Sequence, residues 1–501
     1  MLFNSLEFLV FLPIVFLLYW FVFQKREWQN LLVVTASYVF YGWWDWRFLF
    51  LIAFTSVCSY YSGLLIEYYG GKCKAESGKR RQRMVCAANL VLNFLILGVF
   101  KYYNFFAESL AQLFWQLFHY ELGWVTLNVV LPVGISFYTF QALSYTIDVY
   151  RKDVAVTRNV VEFFAFISFF PQLVAGPIER AKNLLPQFQK DRHFDYVKAV
   201  DGCRQMLWGF FKKVVIADSC AAELNPLWDN YADYSGVSLW GLALLFTFQI
   251  YCDFSGYSDI AIGCSRLFGI NLLSNFDHPY LSRSIPEFWR RWHISLMTWF
   301  RDYIYFPLGG SRCSLWKVIR NTFIVFGVSG LWHGANWTFV CWGLYHGSLV
   351  VLYRLFVKRG HESGHHQQQG ISHTLAPSHS RILGRIKDIC NVALTFLLAV
   401  IGWVIFRAEN ISQAWDFVSR MILTAFDDFH PRLGSLSTAI LVVLLMVVEY
   451  LQRDKVHALQ FSTKGLFQYG TARWMVYLAM TAAIFYYAFN NVGQEFIYFQ
   501  F

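Results

Sequence analysis

The sequence predicts an all-α polytopic membrane protein, with about ten to twelve transmembrane or re-entrant helices. Three observations support this fold class. Hydrophobic residues make up 56% of the 501 residues and charged residues only 15%, whereas about a quarter of a soluble domain is charged. Apolar runs long enough to cross about 30 Å of hydrocarbon recur along the chain. Basic residues collect in loops between these runs, as they do in cytoplasmic loops.

The basic residues also orient the N-terminal half. Lys25 and Arg26 follow the first apolar run, and GGKCKAESGKRRQRM at 70–84 follows two more. Two crossings later the chain reaches Arg151 and Lys152. Because Lys and Arg favour the cytoplasmic side, we expect all three basic ends to face the cytoplasm. The first run has no basic residue before it, so we expect it to remain in the mature protein.

Composition divides the chain into four segments. We predict N-terminal transmembrane helices in 1–130 and C-terminal ones in 388–501. Polar groups intrude into apolar runs in 131–353, where we expect the chemistry. The segment 354–387 is predicted to be a flexible, His-rich cytoplasmic loop. Its histidines are His361, His365, His366, His373 and His379.

A metal site and a nucleic-acid partner are both disfavoured. The five loop histidines are irregularly spaced and have no Cys or carboxylate cluster beside them. The ten cysteines are scattered singly, and in apolar runs cysteine behaves as a small hydrophobic residue. The formal charge of +10 fits basic loops beside anionic lipid, and no soluble segment carries a basic and aromatic strip.

Two proline-interrupted or charged stretches inside 131–353 do not have the form of simple membrane spans. FFAFISFFPQLVAGPIERAKN at 163–183 is broken by two prolines and ends in charge, which favours re-entrant or interfacial helices packed inside protein. In the second stretch, Ser284 and Glu287 form an S-x-x-E capping box, with Pro286 in the first turn. A helix is therefore expected to begin at Ser284.

One continuous helix beyond Ser284 would separate aromatic from basic side chains at about 100° per residue. The apolar stripe would contain Ile285, Trp289, Trp292, Leu296, Trp299, Phe300 and Tyr303. His293 lies at its edge, and Arg290 and Arg291 lie opposite. The helix has no uncharged run of about 20 residues, so we expect it at an interface or lining a polar cavity. The alternative is an aromatic, basic membrane anchor with His293 packed in the core.

His333 stands in a stretch without charge. GLWHGANWTF at 330–339 belongs to 321–353, which has no Asp, Glu, Lys or Arg. A continuous helix there would be about 50 Å long, well over the thickness of the hydrocarbon. The expected break points are Gly327, Gly330 and Gly334. A break would leave His333 at a helix junction, with Asn336 one turn further on.

A buried imidazole suits general base catalysis. Low dielectric disfavours the charged form of histidine, so we expect His333 to be neutral and able to accept a hydroxyl proton. An ionisable residue at membrane depth indicates function, and a packed core histidine is the alternative. Asp253, between aromatic residues, is a candidate polar group of a cavity. His346 would project about 140° from His333 on an unbroken helix and is interpreted as packing.

Three ordered motifs resemble the membrane-bound O-acyltransferase family, and most closely its bacterial polysaccharide-acetylating branch. They are YCDFSGYSDIAIG at 251–263, NFDHPYLSRSIPEFWRRWHISLMTWFRDYIYFPLGG at 275–310 and GLWHGANWTFVCWGLYHG at 330–347. The resemblance covers roughly 131–353, which would be the acyltransferase core. It implies a multi-helix membrane fold around a central cavity and transfer of an acyl group from a cytoplasmic thioester toward a hydroxyl.

The resemblance also implies roles for individual residues. The family's invariant histidine corresponds to His333 and its second histidine, in the FWRRWH motif, to His293. His333 would then take the proton of the attacking hydroxyl, while His293 and Asn336 orient the acyl carbonyl or the acceptor. Arg290 and Arg291 would meet the phosphates of the donor, although contact with lipid headgroups explains them equally well.

The same resemblance implies the reaction partners. The donor would be acetyl-CoA or an acyl-carrier thioester, with no tightly bound cofactor and no metal. The acceptor would be an exported polysaccharide, reached through a periplasmic or extracellular SGNH-hydrolase-like partner, and the chain would lie in the bacterial inner membrane. Three alternatives stay open: D-alanyl transfer to teichoic acids, a eukaryotic-type lipid or protein acyltransferase, which the motifs favour less, and a transporter or export channel that uses buried polar groups as a path.

Overall fold

The computed structural model describes residues 1–72, 76–124, 126–127, 130–174, 176–234, 236–364, 378–425, 427, 434–461, 465–490, 493–494 and 496–497. Throughout these residues the regular structure is helical and no strand occurs. The first ten helices are α1 (Leu6–Leu17), α2 (Arg26–Asp45), α3 (Leu49–Lys72), α4 (Glu76–Leu97), α5 (Tyr103–Phe118), α6 (Ile135–Arg151), α7 (Val160–Ser168), α8 (Phe170–Leu173), α9 (Ala181–Phe188) and α10 (Tyr196–Phe210). The next ten are α11 (Asp218–Trp228), α12 (Gly236–Leu267), α13 (Ile285–Arg291), α14 (Ile294–Phe300), α15 (Leu315–His333), α16 (Trp337–Gly364), α17 (Ser378–Arg407), α18 (Ile411–Leu423), α19 (Leu436–Leu451) and α20 (Gly470–Asn490).

Five helical stretches in the described part of the chain are long and apolar enough to cross a membrane. They are Arg26–Gly71, Glu76–Phe118, Gly236–Leu267, Trp337–Phe356 and Gly384–Arg407. Two shorter apolar helices, Leu6–Val22 and Leu436–Leu451, accompany them. The predicted all-α membrane protein is thus confirmed, and the figure of ten to twelve helices that cross or re-enter the membrane stays a prediction.

The chain forms two compact units. Unit one comprises Met1–Phe211, Gly256–Leu273 and Leu459–Thr481, and unit two comprises Lys212–Ser255, Ser274–Ala458 and Ala482–Phe501. In unit one the predicted interruption at 163–183 is present as the short helices α7, α8 and α9. Their side chains are mostly buried, as expected for broken helices packed inside protein.

One glycine on each helix lets α15 and α16 of unit two approach closely in an antiparallel hairpin. A Cβ added at Gly330 would lie 2.2 Å from the carbonyl oxygen of Phe339, and one added at Gly343 would lie 2.2 Å from that of Phe326. Gly334 faces the Phe339 ring, where an added Cβ would lie 2.0 Å from a ring carbon. Because glycine has no Cβ, the two backbones can approach this closely.

The glycine contact gives a testable stability difference. Gly330→Ala is expected to destabilise the protein by about 1–3 kcal/mol, because its Cβ would force the two backbones apart. Gly327 lies one turn earlier on α15 and has open space around it, so Gly327→Ala serves as the matched control. It is expected to gain up to about 1 kcal/mol of helix propensity. Thermal unfolding in detergent would show equal effects of both changes if the close approach were unimportant.

Helices extend into both ends of the predicted His-rich loop. Helix α16 continues to Gly364 and α17 begins at Ser378, so the 354–387 segment is not a loop over its whole length. Residues 365–377, which contain three of its five histidines, lie outside the described residues.

Candidate active site

His333 is the last residue of α15, directly before the extended Gly334. The predicted break is therefore confirmed at Gly334 but not at Gly327 or Gly330, which lie within α15. His333 stands at the junction with 5% of its surface exposed. Its ring centroid lies 5.0 Å from that of Trp342 and 5.4 Å from that of Phe406. The glycine hairpin thus holds an imidazole among aromatic rings.

His293 breaks the helix that the sequence predicts to be continuous. The predicted N-cap is present, with the Ser284 Oγ accepting a hydrogen bond from the Glu287 N–H, while the Glu287 carboxylate accepts one from the Arg283 N–H. Helix α13 nevertheless ends at Arg291, and α14 begins only at Ile294. His293 occupies the left-handed region between them, with φ 44°. The continuous stripe to Tyr303 was therefore a wrong prediction.

Asn275 accounts for the break. Its carbonyl oxygen accepts a hydrogen bond from the Ile294 N–H at 2.9 Å, and its side-chain oxygen accepts one from the Ser295 hydroxyl at 2.6 Å. The left-handed conformation costs a non-glycine residue roughly 1–2 kcal/mol, although histidine tolerates it better than most residues. The loop that precedes α13 therefore sets the direction of the His293 ring.

The two histidines predicted from the sequence lie close together in unit two. Their ring centroids are 6.4 Å apart, and the ring of His293 also packs 5.7 Å from Trp332 and 4.6 Å from Phe254. His293 is 1% exposed, and burial lowers its pKa to about 3. A neutral His293 cannot supply a positive charge, but its ring N–H can donate a hydrogen bond.

Asn336 shapes the start of α16. Its side-chain oxygen accepts a hydrogen bond from the Thr338 N–H at 3.0 Å, and its amide nitrogen donates one to the Glu409 carbonyl oxygen at 2.7 Å. Both ends of the side chain are therefore engaged in holding the backbone beyond His333. This geometry suits a positioning residue.

Asp253 belongs to a buried ion cluster. Its Oδ1 lies 2.8 Å from the Lys213 ammonium, which also lies 2.8 Å from Asp218. The other carboxylate oxygen accepts a hydrogen bond from the Ile497 N–H at 2.7 Å, and the Lys213 ammonium donates one to the Gln494 carbonyl oxygen at 3.0 Å. This cluster fixes the C-terminal segment beside α12 at Asp253. The next residue, Phe254, packs against the His293 ring.

The ion cluster is a feature that the sequence reasoning missed. Burial lowers the pKa of Lys213, but the two carboxylates more than offset this and raise it overall, so the ammonium stays charged. The sequence does contain a signal, since FFKKVVIADSC at 210–220 places two lysines inside an apolar run. A buried charge requires an opposite charge nearby, but the sequence does not show that Asp253 provides one.

Arg290 and Arg291 have different surroundings. Arg290 is exposed, whereas Arg291 is half-buried and forms an ion pair with Glu287 at 2.8 Å. Arg291 lines a cleft of about 1210 Å³ in unit two, whose wall does not include Arg290.

Charged residues of both signs line this cleft. Its arginines are Arg283, Arg291, Arg385 and Arg453, and its acidic residues are Asp277, Glu287, Asp388 and Asp454. Arg283 is paired with Asp388 at 3.2 Å. Among the described residues, Arg385 and Arg453 have no carboxylate within ion-pair distance. Within this part of the chain neither guanidinium is neutralised by an ion pair, although Arg453 donates a hydrogen bond to the Tyr450 carbonyl oxygen at 2.9 Å.

Aromatic rings connect the cleft with His333. Tyr280 lines the cleft, and its ring centroid lies 5.9 Å from that of Trp292. Trp403 follows at 4.6 Å from Trp292, and Phe406 follows at 5.6 Å from Trp403. Since Phe406 contacts His333, a continuous wall of rings leads from the charged cleft to the buried imidazole.

His346 lies in the same aromatic region. The argument that placed it 140° from His333 assumed an unbroken helix and does not apply, because α15 and α16 are separate. Its ring centroid is 5.2 Å from that of Trp342 and 5.0 Å from that of Trp289. An added Cβ at Gly402 would lie 2.4 Å from its Nε2, so Gly402 makes room for the ring.

Two buried histidines thus stand at helix junctions of a helical membrane protein. The membrane-bound O-acyltransferase family model matches residues 39–374, and the chain belongs to this family. It is an O-acyltransferase, so the enzyme is favoured over the transporter or export channel.

Relatives with assigned names agree with this class. The chain is 42% identical to the probable alginate O-acetylase AlgI of Pseudomonas aeruginosa over 84% of its own length and 75% of the relative's. It is 34% identical to the peptidoglycan O-acetyltransferase of Helicobacter pylori, over 84% and 80% of the two chains. The teichoic acid D-alanyltransferase of Streptococcus thermophilus is 33% identical over 44% and 56%.

Proposed function

We propose that this protein transfers an acetyl group from a cytoplasmic thioester, across the bacterial inner membrane, for O-acetylation of an exported or cell-surface polysaccharide. The observation that supports it most is the buried His333 and His293 pair in a chain that aligns over most of its length with two polysaccharide O-acetylating relatives. The match to the D-alanyltransferase covers less than half of the chain, so acetyl transfer is the favoured reaction.

His333 is the proposed general base. As the acceptor oxygen attacks the carbonyl carbon, the hydroxyl proton moves to a ring nitrogen of His333. The carbon–oxygen bond forms, the carbon–sulfur bond breaks, and the proton passes to the departing thiolate. His293 donates a hydrogen bond to the carbonyl oxygen as negative charge develops there, and Asn336 positions the start of α16 beside them.

The cleft is the proposed entry for the donor. The phosphates of coenzyme A or of a carrier's pantetheine arm bind Arg385, Arg453 and Arg291, because charge-assisted contacts favour anions. From Phe396 at the cleft to Phe406 beside His333 is about 15 Å along α17. A flexible pantetheine arm along the aromatic wall would bring the thioester to the two histidines.

The acceptor side requires another chain. We propose a periplasmic or extracellular SGNH-hydrolase-like partner that completes the modification of the polysaccharide. The basic loops assigned to the cytoplasm support this direction of transfer, because they place the two sides of the protein in different compartments.

The role of His293 has a test that separates chemistry from folding. His293→Gly keeps the left-handed backbone, which glycine adopts without strain, and removes the ring. We expect it to lower acyl transfer about 10²-fold, as loss of one carbonyl-stabilising donor does. The His293→Gly protein should unfold at the same temperature as His293→Ala or at a higher one. Retained activity in the glycine variant would show that the ring takes no part in the reaction.

Ester-linked acetate on surface glycans tests the proposed function. Deletion of the gene is expected to remove it, and the wild-type gene to restore it. Complementation with Arg291→Gln is expected to restore less acetate than Arg290→Gln at equal protein levels, because Arg291 alone of the two lines the cleft. Unchanged acetate in the deletion strain would reject polysaccharide acetylation by this protein, and equal restoration by both variants would reject a contribution of Arg291 to donor binding.

A further inference from the structure

A second cavity of unit two, separate from the cleft, is apolar over most of its wall. It has a volume of about 200 Å³ and lies between α14, α15 and α16. Val318, Ile319, Val325, Val350, Val351 and Leu355 supply much of its lining. Since an apolar cavity of about 150 Å³ holds a benzene-sized ligand, this one has room for a section of an acyl chain.

The antiparallel α15 and α16 give the cavity a direction. Leu315 begins α15, and Arg354 and Leu355 lie far along α16, so these lining residues belong to the same end of the hairpin. Val325 and Phe326 lie at the other end, near the glycine contact. The cavity is therefore a groove that runs between the helices toward Arg354.

The charged residues described in the wall of this cavity are both basic. None of the described lining residues is acidic, and Arg301 and Arg354 both take part in the wall. Arg301 is paired with Asp302 at 2.7 Å. Arg354, in contrast, has no ion-pair partner in the part of the chain that the structure describes. Its half-buried guanidinium leaves a net positive charge beside an apolar groove.

The surroundings identify the ligand class. Arg354 lies in the last turn of Trp337–Phe356, a stretch that is long and apolar enough to cross a membrane. The basic segment after it is expected on the cytoplasmic side, where anionic lipids collect and basic pockets between helices bind their headgroups. We propose that the groove binds an anionic phospholipid of the cytoplasmic leaflet, with one acyl chain between α15 and α16 and its phosphate at Arg354. This inference rests on the membrane location of the chain and not on acetyl transfer.

Lipid binding by the full-length protein tests the proposal. Native mass spectrometry of detergent-solubilised protein, titrated with phosphatidylglycerol or phosphatidylcholine, is expected to show preferential retention of phosphatidylglycerol. Arg354→Gln should weaken that binding about tenfold, since a contact to a charged group is lost, and Arg354→Lys should retain most of it. Arg312 is exposed and does not line the groove, so Arg312→Gln is the control and should bind as the wild type does.

Two further experiments distinguish binding of a phospholipid from binding of a free anion. Val351→Trp would fill the groove and is expected to weaken phosphatidylglycerol binding while Arg354 is intact. Inorganic phosphate at the lipid's concentration should not displace the lipid, because it cannot occupy the apolar part. Wild-type affinity in Arg354→Gln, equal loss in Arg312→Gln, or displacement by phosphate would each overturn the proposal. Monodisperse size-exclusion profiles of the variants establish that they are folded.

Discussion

Replacement of His333 by alanine is expected to reduce acyl transfer by about 10²–10⁴-fold, the contribution of a positioned general base. The ring lies at a helix junction with 5% exposure, 6.4 Å from the His293 ring. Alanine fits the end of α15 without strain, so the variant should still insert and accumulate in the membrane. Ester-linked acetate on surface glycans, divided by the amount of protein in the membrane, measures the effect.

His333→Gln is the matched comparison for this variant. Glutamine keeps a polar side chain of similar length but cannot accept a proton at neutral pH. If His333 were only a packed polar residue, glutamine would restore much of the transfer that alanine loses. Proton transfer predicts that both variants are equally inactive.

Replacement of Lys213 by methionine is expected to destabilise unit two by about 3–5 kcal/mol, as removal of one partner from a buried ion pair does. Methionine has a similar length but no charge, so Asp218 and Asp253 would face each other without a cation. The same change removes the hydrogen bond to the Gln494 carbonyl oxygen. Thermal unfolding in detergent and the yield of folded protein report the loss.

The pH dependence of this variant distinguishes charge from packing. Burial raises the pKa of Asp218 above its ordinary value even with the ammonium present, and loss of the ammonium raises it further. The folded variant then binds more protons than the unfolded chain, so its stability falls as the pH rises through the raised pKa. We expect the deficit of Lys213→Met to be smaller at pH 5 than at pH 8. An equal deficit at both pH values would indicate a packing defect instead.

Local features of the site could be predicted because neighbouring residues determine them. The capping box at Ser284 uses a contact within one helical turn, and the break at Gly334 follows from an overlong apolar run that contains glycines. The left-handed His293 could not be predicted in the same way. The backbone there is fixed by Asn275, eighteen positions earlier, and no spacing rule relates the two residues.

Long-range partners explain the other differences. Asp253 was identified as a polar group in an apolar run, but its partners are Lys213 and the N–H of Ile497, which is 244 residues away in the chain. The separation of Arg290 from Arg291 depends in the same way on a cleft whose walls come from residues 248–454. Only the folded chain shows which of two adjacent arginines lines that cleft.

The glycine hairpin has a consequence for how such an enzyme can diversify. The backbone that carries His333 is positioned by main chain against main chain, at Gly330 with Phe339 and at Gly343 with Phe326. The rings that surround the imidazole can therefore change while this backbone contact stays the same. Relatives with this hairpin could accept new acyl groups or new alcohols by altering the wall alone.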